Sequence, residues 1–300
     1  MNYPETLAWI HGTERFGSRL GLGRMGRLLH CMGDPHLKVP YIHVAGTNGK
    51  GSTTTMIASA LTAGGFKTGK FISPFILEFR ERMQIDGEMI PEETLAALAT
   101  RLRPIAEEFK AAGDPPTEFE LVTVLGLTWF AEAGCDIAVL EVGLGGRLDA
   151  TNIIPPPLVA VITRIDYDHT AILGDTLAAI AGEKCGILKR GSTVICYPDQ
   201  EEEALAVIRR RAKEEDDPLI LPDRTALSVL SADLTGSRIV YRGQEIFIPL
   251  PGPHQVLNTI AWFQIGEFTN TAGTVFHGDI NRFYAGDGTA GMFMSGFFPI

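Results

Sequence analysis

The stretch His43-Val44-Ala45-Gly46-Thr47-Asn48-Gly49-Lys50-Gly51-Ser52-Thr53 narrows what this chain can fold into more than any other. The apolar run from Val39 to Val44 predicts a buried strand. Thr53 to Leu61 has few helix breakers, and Met56, Ile57, Ala60 and Leu61 recur at helical spacing, so a helix is expected there. A strand, a glycine loop and a helix, in that order, turn consecutive backbone N–H groups and the positive end of a helix dipole toward one anion. Lys50 adds a full positive charge, and Ser52 supplies a hydroxyl suited to a magnesium ion held by phosphate oxygens. The stretch reads as a polyphosphate cradle. It departs from the common spacing G-x-x-x-x-G-K-[ST], because Gly51 separates the lysine from the hydroxyl residue.

Gly46 to Ser52 resembles the nucleotide loop of the Mur-type ligases, and of the folylpolyglutamate synthase/dihydrofolate synthase family in particular. A second stretch supports this. Asp136 to Leu140 is a continuous apolar run, as in a strand buried on both faces of a parallel sheet. It leads into Glu141-Val142-Gly143-Leu144-Gly145-Gly146-Arg147-Leu148-Asp149-Ala150-Thr151-Asn152, twelve residues that match the family's pattern throughout. A carboxylate at the C-terminal end of a parallel strand, followed by a glycine loop, lies where open α/β sheets bind ligands. Glu141 is thus a candidate Mg²⁺ ligand, since that ion takes one or two carboxylates with phosphate oxygens and waters. By the same resemblance Asp149 is the pterin-side carboxylate.

The resemblance extends through shorter segments, which imply further roles. Ser73-Pro74 corresponds to a family Ser-Pro whose serine is a magnesium ligand, although the residues alone make Ser73 a turn residue, and Phe75 stands where relatives carry histidine. Phe79 to Gly87 is similar to a segment whose arginine, here Arg82, lies near the substrate; read alone, Arg82 is a solvated strand-edge cation. Thr117-Glu118-Phe119-Glu120 has the form of a capping box. In the family its phenylalanine, here Phe119, stacks on the pterin; the alternative is an ordinary core aromatic. Asp168-His169 corresponds to a family Asp-His that supplies a metal ligand near the γ-phosphate, here His169, although Mg²⁺ prefers oxygen to imidazole. Glu183-Lys184 resembles a segment whose lysine is often carbamylated and ligates metal, the alternative being a lysine paired with an acid such as Glu183. His254-Gln255-Val256-Leu257-Asn258 resembles a helix start whose asparagine contacts adenine.

The implied site therefore comprises Thr47, Asn48, Gly49, Lys50, Gly51, Ser52 and Asn258 for nucleotide, and Arg82, Phe119 and Asp149 for the acceptor. Ser52, Ser73, Glu141, His169 and Lys184 would hold one or two Mg²⁺ ions. Lys50, His169 and Lys184 are the residues expected to serve catalysis.

Other elements follow from pattern. Residues 4–33 suggest two short helices around the glycine-rich turn Phe16 to Gly23. Pro91 to Lys110 is an amphipathic helix, Leu158 to Thr163 and Thr193 to Cys196 are strands, and Gly174-Asp175-Thr176 caps a helix. Glu201 to Glu215 is a charged helix, and Leu227 to Pro249 is β-rich with a hairpin turn at Tyr241 to Glu245. The expected fold is α/β: a mostly parallel sheet forming a P-loop-type Mur ligase central (ATPase) domain with flanking helices over residues 1–258. After Asn258 the family pattern is lost. Residues 259–300 are rich in phenylalanine and glycine, lack lysine, and stand unassigned in place of the family's C-terminal domain. A frameshift, a truncation or a foreign end would each explain such a tail.

A net charge of −10 offers nucleic acid and anionic membranes no general attraction, so an anionic substrate needs locally placed cations. No apolar run reaches the length of a membrane span, no signal peptide is evident, and Cys31, Cys135, Cys185 and Cys196 show no paired spacing. They are expected to be buried thiols of a cytoplasmic protein, with a monomer as the expected state. The resemblance implies ATP-dependent joining of L-glutamate to a folate or dihydropteroate carboxylate through an acyl phosphate. Two alternatives stand beside it: a nucleotide-binding remnant without ligase activity, and a cell-wall Mur ligase, against which the Glu141 to Asn152 match argues.

Overall fold

The computed structural model describes residues 1–13 and 21–271; in the final helix, side chains are described only through Phe263, Trp262 excepted. Residues 16–20 of the glycine-rich turn and 272–300 of the tail lie outside the described residues. Asn2 caps α1 (Tyr3–His11) by accepting the Glu5 N–H, and α2 (Gly23–Cys31) turns Met25, Leu28 and Leu29 inward. Cys31 stands on the outward side of that helix and is exposed, which corrects the expectation of four buried thiols; the other three are buried.

Beyond β1 (Tyr41–Ala45) the chain forms α3 (Lys50–Ala63), β2 (Thr68–Phe71), β3 (Met83–Ile85), β4 (Glu88–Met89) and α4 (Glu92–Ala111). Helix α5 (Glu118–Glu132) begins at a complete capping box, with Thr117 and Glu120 each bonded to the other's backbone N–H, an arrangement contributing about 1 kcal/mol. Then come β5 (Ile137–Glu141), β6 (Val159–Ile162), α6 (Thr170–Leu173), α7 (Leu177–Lys184), β7 (Thr193–Cys196), α8 (Glu202–Glu215) and β8 (Leu219–Ile220). These strands form one sheet in the order β4-β3-β2-β5-β1-β6-β7-β8, parallel except at β3 and β4.

Strand β1 lies between β5 and β6 and is buried along its length. Alternation divides its side chains between two cores. Ile42 and Val44 pack with Ile57 and Leu61 of α3, while Tyr41 faces the core shared by α1, α2, α4 and α5. A third core joins α7 and α8 to Ala45, Ile162 and Val194.

The β-rich stretch is a separate antiparallel sheet of β9 (Leu227–Asp233), β10 (Gly236–Tyr241) and β11 (Gln244–Ile248). Its inner residues Ile239, Tyr241, Ile246 and Ile248 pack on Val256, Ile260 and Phe263 of α9 (Pro253–Thr271). The division drawn at residue 258 falls inside this helix. Among the described residues, no helix is long and apolar enough to cross a membrane.

Candidate functional site

The site lies at the C-terminal ends of β1, β5 and β6, where the connections leave the sheet in different directions. Gly46 follows β1 directly. A Cβ there would stand 1.8 Å from Thr163 Oγ1, so glycine alone lets the loop pass the end of β6. The Thr47 and Asn48 N–H groups donate to the Arg164 carbonyl at 2.8 and 3.2 Å. Thr47 Oγ1 donates to the Asp166 carbonyl and accepts the Asp166 N–H. These two loop N–H groups are thus tied to the chain after β6 instead of facing an anion. The available donors are those of Lys50, Gly51 and Ser52, because the first turn of a helix has no internal acceptor for them. Lys50 Nζ donates back to the Thr47 carbonyl at 3.2 Å, which lays its charge across the loop.

Glu141 ends β5 and is 5% exposed. Burial pushes its carboxyl up to about 7, against the pull of the Ser73 N–H and the Lys50 charge. The Ser73 N–H donates to Glu141 Oε2 at 3.0 Å, and a Cβ on Gly51 would lie 3.4 Å from the same oxygen. The carboxylate therefore stands between Ser73 and the first turn of α3.

Two cavities adjoin these neighbours of Glu141, one at the first turn of α3 and one at Ser73. On the α3 side a hollow of about 550 Å³ is lined by Asn48, Ser52, Arg164, Tyr197, Gln255 and Asn258, among others. Asn258 is 2% exposed, and its amide lies 2.7 Å from where a Gly49 Cβ would be, at a loop residue with φ 85°. Asn258 Nδ2 donates to Gln255 Oε1, and Gln255 Nε2 donates to Ser52 Oγ, both at 3.3 Å. On the Ser73 side a cavity of about 200 Å³ is walled by Ser73, Phe119, Gly143, Leu144 and Asp149.

Residues 44–265, the span holding both cavities' principal walls, match the family model described as the Mur ligase middle domain. The chain belongs to the Mur ligase family. It is 39% identical over 276 residues to the dihydrofolate synthase/folylpolyglutamate synthase of Bacillus subtilis (strain 168), covering 89% of this chain and 64% of that protein. It is 40% identical over 270 residues to the folylpolyglutamate synthase of Lacticaseibacillus casei, covering 86% and 62%. A solved structure described as an FPGS–AMPPCP–folate complex matches with a TM-score of 0.84 at 36% identity, over 94% of this chain and 70% of that one. The chain spans less than two thirds of the length of the two curated relatives.

Within this Mur ligase fold, two of the three expected acceptor residues, Phe119 and Asp149, share the smaller cavity, and Arg82 is not among the residues that line it. Phe119 packs edge-on against Phe71, with ring centroids 6.1 Å apart, and also lines the smaller cavity; it is both core aromatic and wall. Asp149 is 4% exposed. Burial raises its carboxyl, opposed by hydrogen bonds from Thr151, Leu144 and Gly143. Arg82 is no solvated edge cation. Its side chain is 11% exposed, its guanidinium lies 5.2 and 5.5 Å from the ring centroids of Phe75 and Phe79, and Glu118 is 3.7 Å away. Phe75 is thus a packing partner of Arg82.

Lys184 is buried, and its Nζ donates to the Gly46 carbonyl at 2.7 Å. Burial, reinforced by the Lys50 charge, lowers its ammonium to about 8. Pairing with Glu183 is overturned: Glu183 meets Arg147 at 2.9 Å. His169 takes a left-handed backbone (φ 46°), its side chain is 55% exposed, and Nε2 lies 3.5 Å from Asp168 Oδ1. Among the described residues, no group of three or more His, Cys, Asp or Glu side chains is placed to hold a metal ion.

Sequence reasoning assigned no role to the Arg164 carbonyl, Tyr197 or Gln255. Gln255 belongs to the same His254 to Asn258 segment, which is the signal that points to it. Tyr197 follows directly on β7, and the end of a parallel strand is itself a signal.

Proposed function

We propose that this chain is the nucleotide- and acceptor-binding part of an ATP-dependent ligase that joins L-glutamate to a folate or dihydropteroate carboxylate. The observation that carries this reading is a pair of cavities, one walled by the helix α3 cradle and the other by Ser73, Phe119 and Asp149, with Glu141 bonded to the Ser73 N–H and next to Gly51. A nucleotide and an acceptor bound in them would approach each other near Glu141. The relatives' names and the solved complex with AMPPCP and folate support the same assignment.

In this reading the first-turn N–H groups of α3 and Lys50 hold the phosphates, with Thr47, Asn48 and Gly49 shaping the loop and Asn258 meeting the base. Phe119 and Asp149 take the pterin, and Arg82 orients the acceptor. An acceptor carboxylate oxygen forms a bond to the γ-phosphorus as the bond to the β,γ-bridging oxygen breaks, releasing ADP. The glutamate amine then attacks the acyl carbon, phosphate leaves with the electron pair of the broken C–O bond, and the amine's proton is lost to solvent. A carboxylate has no leaving group of its own, which is the chemical reason for ATP.

The residues present fit Mg²⁺. Ser52 and Ser73 offer hydroxyl oxygens, and Glu141 is a buried carboxylate raised by desolvation that a cation would return to its charged form. His169 and Lys184, the latter as its carbamate, complete the proposed ligand set. When bound, the ion neutralises the charge that develops on the transferring phosphoryl group. We further place the protein in the cytoplasm as a monomer.

The test is ADP release by the chain with Mg²⁺, ATP and glutamate, with dihydropteroate or tetrahydrofolate as acceptor and Lys50→Ala as control. Release that requires both acceptor and glutamate, and is lost in the control, is the expected result. Nucleotide binding without release would favour the remnant, and release with UDP-muramyl acceptors alone would favour a cell-wall ligase.

A further inference from the structure

His43 points to the face of β1 opposite α3, between Tyr41 and Ala45, where the pattern calls for an apolar side chain. It is completely buried. Burial, with the Lys189 charge nearby, pushes the imidazole down to about 3, so the ring is neutral and carries a single N–H. Nε2 lies 2.9 Å from Thr151 Oγ1, while Nδ1 has no hydrogen-bond partner.

The direction of that bond follows from the next one. Thr151 Oγ1 donates to Asp149 Oδ1 at 2.5 Å, and the same oxygen accepts the Thr151 N–H at 2.9 Å. Asp149 Oδ2 accepts the Leu144 N–H at 2.8 Å. A carboxylate whose two oxygens both receive backbone N–H groups is an acceptor, so the single Thr151 hydroxyl proton goes to Asp149. Thr151 must then accept from His43, which fixes the proton on Nε2. The buried chain runs one way: His43 Nε2–H to Thr151 Oγ, Thr151 O–H to Asp149.

We propose that His43 is a positioning residue for the acceptor cavity, acting through Thr151 to hold the Asp149 carboxylate in the cavity wall. This rests on reading that cavity as the acceptor site. Each bond in such a chain polarises the next in a buried setting. Rotation of the carboxylate would break its contact with Leu144, which lines the same cavity. His43 and Thr151 lie behind Asp149 and do not line the cavity themselves.

The experiment compares the full chain with Thr151→Val and Thr151→Ser. It reads folate and AMPPCP affinity by calorimetry, and the ¹⁵N shifts of the His43 imidazole. The Nε2–H tautomer is expected from pH 5 to 8. Thr151→Val should weaken folate binding about tenfold, in line with the Asp149 carboxylate's loss of the one hydrogen bond that links it to His43. AMPPCP affinity should stay unchanged, and Thr151→Ser should restore folate binding. An Nδ1–H or charged imidazole at pH 6 would overturn the relay, as would unaltered folate affinity in Thr151→Val or equal losses for both ligands. A wild-type chain that binds no folate would refute the reading of the cavity, while the imidazole signals still judge the relay.

Discussion

The two loops that meet at Glu141 are shaped by different means. The nucleotide loop takes its course from the backbone: Gly46 passes Thr163 where no side chain fits, and the Thr47 and Asn48 N–H groups are fastened to one carbonyl of Arg164. The loop from Gly143 to Thr151 is gathered instead around one side chain, the Asp149 carboxylate, which receives backbone N–H groups from both ends of the segment. A loop held by sterics and main chain tolerates little substitution. A loop held by a carboxylate depends on that group's hydrogen bonds and on the buried groups behind it. The first suits an invariable polyphosphate, and the second lets one residue set the shape of the acceptor wall.

The largest effect is expected on the backbone-built side. Gly46→Ala would force a Cβ into Thr163 Oγ1 and should cost roughly 3 kcal/mol or more of stability, measured by denaturant unfolding. A variant as stable as the wild type would show that the loop's course does not depend on the missing Cβ.

The side-chain-built loop should instead reveal itself through pH. His43 titrates near 3 in the folded protein, below its ordinary value near 6.5. Above 6.5 the ring is neutral in both folded and unfolded chains and pH has no effect through it. As pH falls from 6.5 toward 3, only the unfolded chain takes up the proton, so stability is lost. At pH 5 this amounts to about 2 kcal/mol. His43→Gln should remove about that much of the decline in unfolding free energy between pH 7 and 5. An identical decline in the variant would mean that His43 is not buried as a neutral ring.

A smaller effect separates the cavities from one another. Gln255→Ala removes the bond to Ser52 on the nucleotide side alone, and should weaken AMPPCP three- to tenfold, about 1 kcal/mol, with folate affinity unaltered in calorimetry. A matching loss for folate would mean that the two hollows are coupled through more than Glu141.

Much of this arrangement was legible in the sequence. The strand, glycine loop and helix around Lys50, the capping box at Thr117, and Glu141 at the end of an apolar strand all stand as their local patterns indicate, because each depends on neighbours a few residues away. What escaped depends on packing between distant segments. Lys184 finds the Gly46 carbonyl, 138 residues away in the chain, and not its neighbour Glu183. Arg82 is half-buried, with its guanidinium against the rings of Phe75 and Phe79. The use of the Thr47 and Asn48 N–H groups by Arg164 is invisible to any motif, since it involves main chain on both sides.

The most direct test of the two-cavity account is a folate titration of the chain saturated with AMPPCP and Mg²⁺. The account predicts that folate binds with an affinity equal to or greater than that for the nucleotide-free chain, since the ligands occupy different cavities. Displacement of AMPPCP by folate would contradict it, and would mean that one cavity serves both.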